Sequence, residues 1–236
     1  MNAFLSVFSS FTYRKTLRRV SRALIAFVCI CASLFFSSCK KEVDYFSYVS
    51  ELRSNIFIAQ AGELSLRIFS VQKESPYESD GIKMETFSRT EFYLSAPSGD
   101  KEYTLSFCVG DQQQNAVMSF DNVKCEYYYF CNVDISSLET LDCTLTCQET
   151  TQILSARSIK TPTTLAPNVI LQKVKEREQE LFLSLTDKYG FAGEIYLRLI
   201  YEDAPYYYVG IIDRNGKVNA FLLNGETGKI LAKRTT

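Results

Sequence analysis

The sequence predicts a mainly β protein with an α+β C-terminus. Residues 39–160 read as an immunoglobulin-like β-sandwich, and residues 168–236 as a small helix-plus-antiparallel-sheet module. Three observations carry this reading. Short segments that alternate polar and apolar residues recur from Asp44 to Ile159. Clusters of Gly, Pro, Ser and Asp separate them. Helical periodicity enters only after Pro167. The composition agrees, with 46% apolar and 22% charged residues over a length of 236, which suits one or two globular domains.

The strands follow in order. Glu63–Phe69, Lys101–Cys108 and Leu141–Cys147 alternate most clearly. Ser54–Ile58, Thr90–Leu94, Ala116–Phe120, Glu126–Val133 and Thr151–Ser158 complete the series, giving seven or so strands in about 115 residues. Turns are marked at Ala61-Gly62, Ser75-Pro76, Ser79-Asp80-Gly81 and Ala96-Pro97-Ser98-Gly99-Asp100. That spacing fits a β-sandwich, although the absence of Trp removes the core marker of an antibody-type domain. The segment 161–167, Thr-Pro-Thr-Thr-Leu-Ala-Pro, suits neither a helix nor a central strand and reads as an interdomain linker.

Beyond it, Asn168 is the expected cap of a helix running to about Tyr189 and stopped by Gly190. Ile170, Val174, Leu181 and Leu185 share its apolar face, and Lys173, Lys175, Glu176, Arg177, Glu178 and Glu180 its solvated one. Strands are then expected at Glu194–Glu202, Tyr206–Asp213, Lys217–Leu223 and Lys229–Lys233. Asp213-Arg-Asn-Gly216 joins the second and third as a hairpin turn in which Asn-Gly accepts positive φ.

Charge divides the chain unevenly. The formal net charge is −1, yet residues 1–38 hold Arg14, Lys15, Arg18, Arg19 and Arg22 and no acid, leaving 21 basic against 27 acidic residues, or −6, in 39–236. The basic cluster precedes an uncharged apolar run, Ala23–Phe36, of fourteen residues. As a helix it would rise only ~21 Å, short of the ~30 Å hydrocarbon core, so a cleaved secretory signal over 1–38 is expected rather than a span. The four residues Phe36-Ser37-Ser38-Cys39 resemble the lipobox of bacterial lipoproteins, with Phe36 in place of the usual Leu. The resemblance implies a diacylglyceryl group on the Cys39 thiol, cleavage before it, and attachment to a bacterial membrane on its extracytoplasmic face. Two acyl chains suffice for stable anchoring.

Export exposes the remaining cysteines, Cys108, Cys125, Cys131, Cys143 and Cys147, to an oxidising compartment. Five is odd, so at least one stays free or pairs between molecules. Cys143 and Cys147 fall on one strand face ~13 Å apart, too far to bond each other. The spacing lacks the paired CxxC knuckle of a metal site, and no metal or cofactor is expected. The chain has no His, which excludes Ser-His-Asp and Cys-His catalysis. A pI near 5.7 argues against nucleic acid. No catalytic residue is assigned.

The stretch Tyr207–Leu231, a strand, a D-x-x-G turn, a strand and a T-G-K-I-L ending, resembles the PepSY-type module of extracytoplasmic proteins, in which a helix packs on an antiparallel hairpin. That resemblance implies binding to a protein or peptide, without catalytic residues. Two aromatic runs, Tyr127–Phe130 and Tyr206–Tyr208, offer a stacking platform, with Tyr128 or Tyr207 as the candidate ligand-binding residues. The expectation is thus an exported, lipid-anchored envelope protein with a non-catalytic binding role. Its rivals are a His-free hydrolase of envelope glycans using carboxylates such as Glu194, Glu202 and Asp203, and a purely structural envelope component.

Overall fold

The computed structural model describes residues 43–75 and 83–236. The segment 1–38 expected to be a signal, Cys39, and residues 76–82, where turns are expected at Ser75-Pro76 and Ser79-Asp80-Gly81, lie outside the described residues. The chain enters through a 3-10 turn, Tyr45–Tyr48, and continues as β1 (Val49–Ala61), β2 (Leu64–Glu74), β3 (Thr86–Ser95), β4 (Thr104–Val109), β5 (Gln112–Val117), β6 (Ser119–Asp121), β7 (Glu126–Cys131), β8 (Thr140–Cys147) and β9 (Thr150–Ser158). Two helices follow, α1 (Pro167–Arg177) and α2 (Gln179–Ser184), then a short hairpin of β10 (Thr186–Asp187) and β11 (Gly190–Phe191). The last strands are β12 (Gly193–Tyr201), β13 (Pro205–Asp213), β14 (Val218–Asn224) and β15 (Ile230–Thr235).

The mainly β class and the two packed layers stand. One layer runs β1-β2-β3-β7-β6 and the other β9-β8-β4-β5, joined where β9 pairs briefly with β1 at Phe57–Ser158 and Ile58–Arg157. Alternation sends one side chain in two between them: Phe57, Leu66, Ile68, Phe92, Leu94 and Tyr127 meet Leu105, Phe107, Leu141, Cys143, Leu145 and Leu154. Several strand boundaries differ from the sequence reading: β2 runs on to Glu74, β3 starts at Thr86, β4 starts only at Thr104 and β7 stops at Cys131. Ala116–Phe120 is not one strand: at Met118, buried and bonded through its N–H to the Tyr103 carbonyl (2.8 Å), the chain crosses from β5 in one layer to β6 in the other. Ser54–Ile58 is only the middle of the thirteen-residue β1. A register shift between Arg53 and Asn55 breaks the alternation there and hides the N-terminal half.

The C-terminal part is built on the antiparallel ladder β12-β13-β14-β15. Ile170, Leu171 and Val174 of α1 and Phe182 of α2 pack with Leu197, Leu199, Tyr207, Val209 and Phe221. The predicted Asn168–Tyr189 helix is corrected at both ends. Ala166 is the N-cap and Pro167 occupies the first turn, where its fixed φ and missing N–H suit a helix start. The helix breaks at Glu178 (φ −118°, ψ 39°), a conformation no α-helix continues. After the break Phe182 enters the core edge-on to Tyr45 (4.7 Å between ring centroids) and beside Phe191 (5.9 Å). The hairpin turn at Asp213–Gly216 forms, but positive φ is taken by Gly216 alone (78°) and not by Asn215, and the Asp213 carboxylate accepts from the Asn215 and Lys217 N–H groups.

The segment 161–167 is pinned down. The Thr161 and Thr163 hydroxyls donate to Glu226, the Leu165 N–H donates to the Gly225 carbonyl, and the Leu165 carbonyl accepts from the Tyr207 hydroxyl (2.9 Å). β1 joins the two parts: it pairs antiparallel with β2 and parallel with β12, from Val49–Ile195 to Arg53–Arg198. A single sheet therefore runs β15-β14-β13-β12-β1-β2-β3-β7-β6.

Candidate functional site: the open face of the joined sheet

Register places a row of charged and aromatic side chains on one face of this sheet. Arg198 stands opposite Tyr208 on β13 and beside Arg53 on β1. Phe69 stands opposite Glu91, Val71 opposite Arg89, and Arg67 opposite Tyr93. Glu91 and Tyr93 in turn oppose Phe130 and Tyr128 on β7. The row crosses six strands, from β13 to β7, or about 24 Å at the usual strand spacing. Tyr208, Tyr196, Arg198, Arg53, Lys73, Arg89, Tyr93 and Tyr128 are all half-buried, and Arg67 and Phe130 exposed, so solvent reaches this face along its length.

The contacts alternate ion pairs with cations over rings. The Arg198 guanidinium donates through Nε and Nη2 to both oxygens of Glu51 (2.7 and 2.8 Å), the bidentate geometry that suits Arg and not Lys. It also lies over the rings of Tyr196 (4.9 Å) and Tyr208 (5.8 Å). Arg53 sits 4.2 Å above Phe69 and Arg89 3.7 Å above Phe130. Glu91, buried, gathers Lys73 (3.1 Å), Arg89 (3.3 Å) and the Tyr93 hydroxyl (3.1 Å). Arg67 pairs with Glu126 at 2.7 Å, and Lys124 lies 5.5 Å from the Tyr93 ring. Half-desolvated cation–π pairs of this kind are each worth about 0.5–2 kcal/mol.

The electrostatics follow from partial burial. Burial would lower the Arg198 guanidinium, but the hydrogen-bonded Glu51 carboxylate holds it above its usual range. Arg53, with burial outweighing Glu51, lies below its usual range, and its Nε has no hydrogen-bond partner. Burial, with Glu91 next to it, pushes Tyr93 up to about 12; burial, with Glu51 next, does the same for Tyr196. Both phenols are therefore protonated donors at neutral pH. Six cations (Arg53, Arg67, Lys73, Arg89, Lys124, Arg198) share the face with three carboxylates (Glu51, Glu91, Glu126). The face is positive in a chain whose residues 39–236 are negative.

Of the two tyrosines proposed from sequence, Tyr128 lies on this face, stacked on Phe130 with ring centroids 6.0 Å apart. Tyr207 does not. It is fully buried against α1, its hydroxyl is spent on Leu165, and burial pushes it up to about 12. A ligand cannot stack on it, and the half-exposed members of that run are Tyr206 and Tyr208. The hydrolase carboxylates do not converge either. Glu194 is buried at the start of β12, whereas Glu202 and Asp203 are exposed beyond its other end. Eight residues of strand separate Glu194 from Glu202, about 26 Å, far beyond the ~5–9.5 Å a glycosidase pair requires. Asp203 accepts from the Tyr206 hydroxyl at 2.9 Å instead.

The cysteines are dispersed: Cys108 and Cys125 exposed, Cys131 and Cys147 half-buried, Cys143 buried, all as free thiols. Among the described residues no three His, Cys, Asp or Glu side chains come together as a metal site, and no helix is long and apolar enough to cross a membrane.

Sequence reasoning missed Arg53, Phe69, Arg89, Glu91 and Arg198. Their one local signal is charge at alternate strand positions, alone in Glu51-Leu52-Arg53 and beside aromatics in Tyr196-Leu197-Arg198 and Arg89-Thr90-Glu91-Phe92-Tyr93. Against known proteins, no family model matches the chain, and no solved structure matches it. A tetracycline resistance protein, TetM from transposon Tn916 of Enterococcus faecalis, is 24% identical over 209 residues. The alignment covers 76% of this chain and 32% of that protein, so the chain spans about a third of its relative's length.

Proposed function

We propose that this chain is an exported bacterial envelope protein, anchored by lipid on Cys39, whose open sheet face binds a protein or peptide partner without catalysis. The observation that carries the binding role is the continuous aromatic and cationic row from Tyr208 to Phe130, half-exposed across six strands. Rigid aromatic and Arg side chains are the residues that dominate protein interfaces. The positive balance of the row favours an acidic partner segment. The anchor rests on the basic leader, the short apolar run and Phe36-Ser37-Ser38-Cys39. The helix packed on the β13–β14 hairpin supports the PepSY-like reading of residues 168–236. No part of tetracycline resistance is carried over from a 24% likeness to 32% of another protein.

The test is photo-crosslinking in intact cells from a benzophenone side chain at Tyr128 or Tyr208, with Thr151 on the outer face of the other layer as control. A discrete adduct from both tyrosine positions and none from Thr151 is expected. Equal capture from all three positions, or from none, sinks the binding role of this face. Cys39→Ala tests the anchor separately: the mature chain should leave the membrane fraction.

A further inference from the structure

The pole where β1 begins carries a second surface. Ser47, Tyr48, Lys83, Tyr189, Phe191 and Arg214 line a cavity of about 460 Å³ there. These residues come from four separate stretches of chain: the entry turn, the run before β3, the β10–β11 hairpin and the β13–β14 turn. Tyr189 is 83% exposed at the hairpin tip, with the Lys188 ammonium 4.8 Å from its ring, and Met84 is 48% exposed nearby. Lys83 reaches the Ser47 carbonyl at 2.7 Å. Arg214 and Lys217 project from the exposed turn. The carboxylates Asp44, Asp187 and Asp213 are engaged with backbone N–H groups of Phe46, Tyr189 and Asn215. An exposed Tyr flanked by lysines and arginines is the side-chain set that settles at a lipid–water interface.

The length of chain before this pole names the occupant. Only Lys40, Lys41 and Glu42 separate Cys39 from Val43, and four residues reach at most ~14 Å. We infer that this pole docks on an anionic lipid surface, with Tyr189 at headgroup depth and Lys83, Lys188, Arg214 and Lys217 on the phosphates, an inference that rests on lipidation of Cys39. Lys40 and Lys41 beside the acyl chains add to the attraction, since juxtamembrane cations are drawn to anionic leaflets. β1 starts at this pole, and its thirteen residues carry the chain up to about 40 Å away. The aromatic and cationic row begins close to this pole, at Glu51 and Arg53, and its Tyr128 end, level with Ile58 about 30 Å along β1, is held beyond the headgroups.

The absence of Trp makes the test direct. The lipidated full-length Tyr189→Trp protein is reconstituted into phosphatidylglycerol-rich vesicles, with Tyr201→Trp, at the far end of β12, as the control. Brominated lipid should quench the indole of Tyr189→Trp several-fold more than that of Tyr201→Trp, and aqueous acrylamide should quench it less. The difference should shrink in purely zwitterionic vesicles. Equal quenching of the two variants in protein whose mass confirms the diacylglyceryl group overturns the docking while leaving the anchor intact. Shielding of the Tyr189→Trp indole that is the same in both lipids overturns the electrostatic recognition. A mass that lacks the lipid on Cys39 overturns the anchor, and the docking with it.

Discussion

Tyrosine is the residue whose setting decides most here, because identical neighbours are given opposite tasks by the strand period of two. Tyr206 and Tyr208 face the open side, while Tyr207 is buried between them; its alternation with Val209 and Ile211, both fully buried, is the sequence signal for that. Burial has a consequence in alkali. Tyr207, Tyr196 and Tyr93 are each pushed from 10.0 up to about 12, by burial first and, for Tyr196 and Tyr93, by Glu51 and Glu91 after it. The unfolded chain therefore releases these protons at lower pH than the fold does. Stability should be undisturbed up to pH ~10 and fall as the pH climbs from there towards 12. Urea midpoints measured against pH, with phenolate absorbance read alongside, test this. Tyr207→Phe should flatten the alkaline fall and, through the lost bond to Leu165, cost about 1 kcal/mol at neutral pH. An alkaline fall as steep in Tyr207→Phe as in the parent chain would show that other groups drive it.

Among the elements, the β1–β12 pairing matters most, since it is the one parallel pairing among the described strands and joins segments about 145 positions apart. Its register covers few pairs and shifts between Val49 and Glu51. The Glu51–Arg198 fork closes it on the open face. Arg198→Ala is expected to cost about 1.5–3 kcal/mol, the range for a hydrogen bond to a charged group. Arg198→Lys should recover only part, because an ammonium cannot grip both carboxylate oxygens. Denaturant midpoints for the two variants decide it; two midpoints equal to the parent's would mean the fork adds nothing to the joint. This pairing also marks the limit of what is legible in the sequence. Alternation within ten residues reveals β2, β4 and β8, and Asn215-Gly216 reveals the last hairpin, because those signals are local. The shifted register near Ser54 hides half of β1. The Gly190 stop draws the helix too long, since nothing at Glu178 announces a break. The open face is illegible as a unit, because its members, from Glu51 to Tyr208, are brought together only by pairings that no short window contains. Of the candidate site, Tyr128 alone is singled out by sequence and placed there by the fold.

In the molecule as a whole, β1 is common to two cores. Phe57 is fully buried in the sandwich cluster, while its neighbour Ile56, 3% exposed, belongs to the cluster under the helices. Adjacent residues of one strand thus point into different halves, and neither half can keep its core if β1 leaves. Asn55 strengthens the tie: its side chain accepts from the Ser158 hydroxyl (2.7 Å) and donates to the Leu138 carbonyl (3.3 Å), fastening β1 to the far layer. Residues 43–236 accordingly form one compact unit by their internal contacts. A cavity cut on one side should therefore be felt on the other. Phe57→Ala removes a fully buried ring, a change that costs about 3–5 kcal/mol, and in a shared-strand fold the loss falls on both cores. Thermal unfolding followed by two probes, a fluorophore on Cys108 in the sandwich and the near-ultraviolet signal of a Tyr207→Trp variant under α1, should give coincident transitions in the parent and an equal downward shift of both in Phe57→Ala. Were the Cys108 probe to shift alone, with the Tyr207→Trp signal melting where it did before, the two parts would be independent domains and the pairing of β1 with β12 a contact between them rather than the spine of one fold.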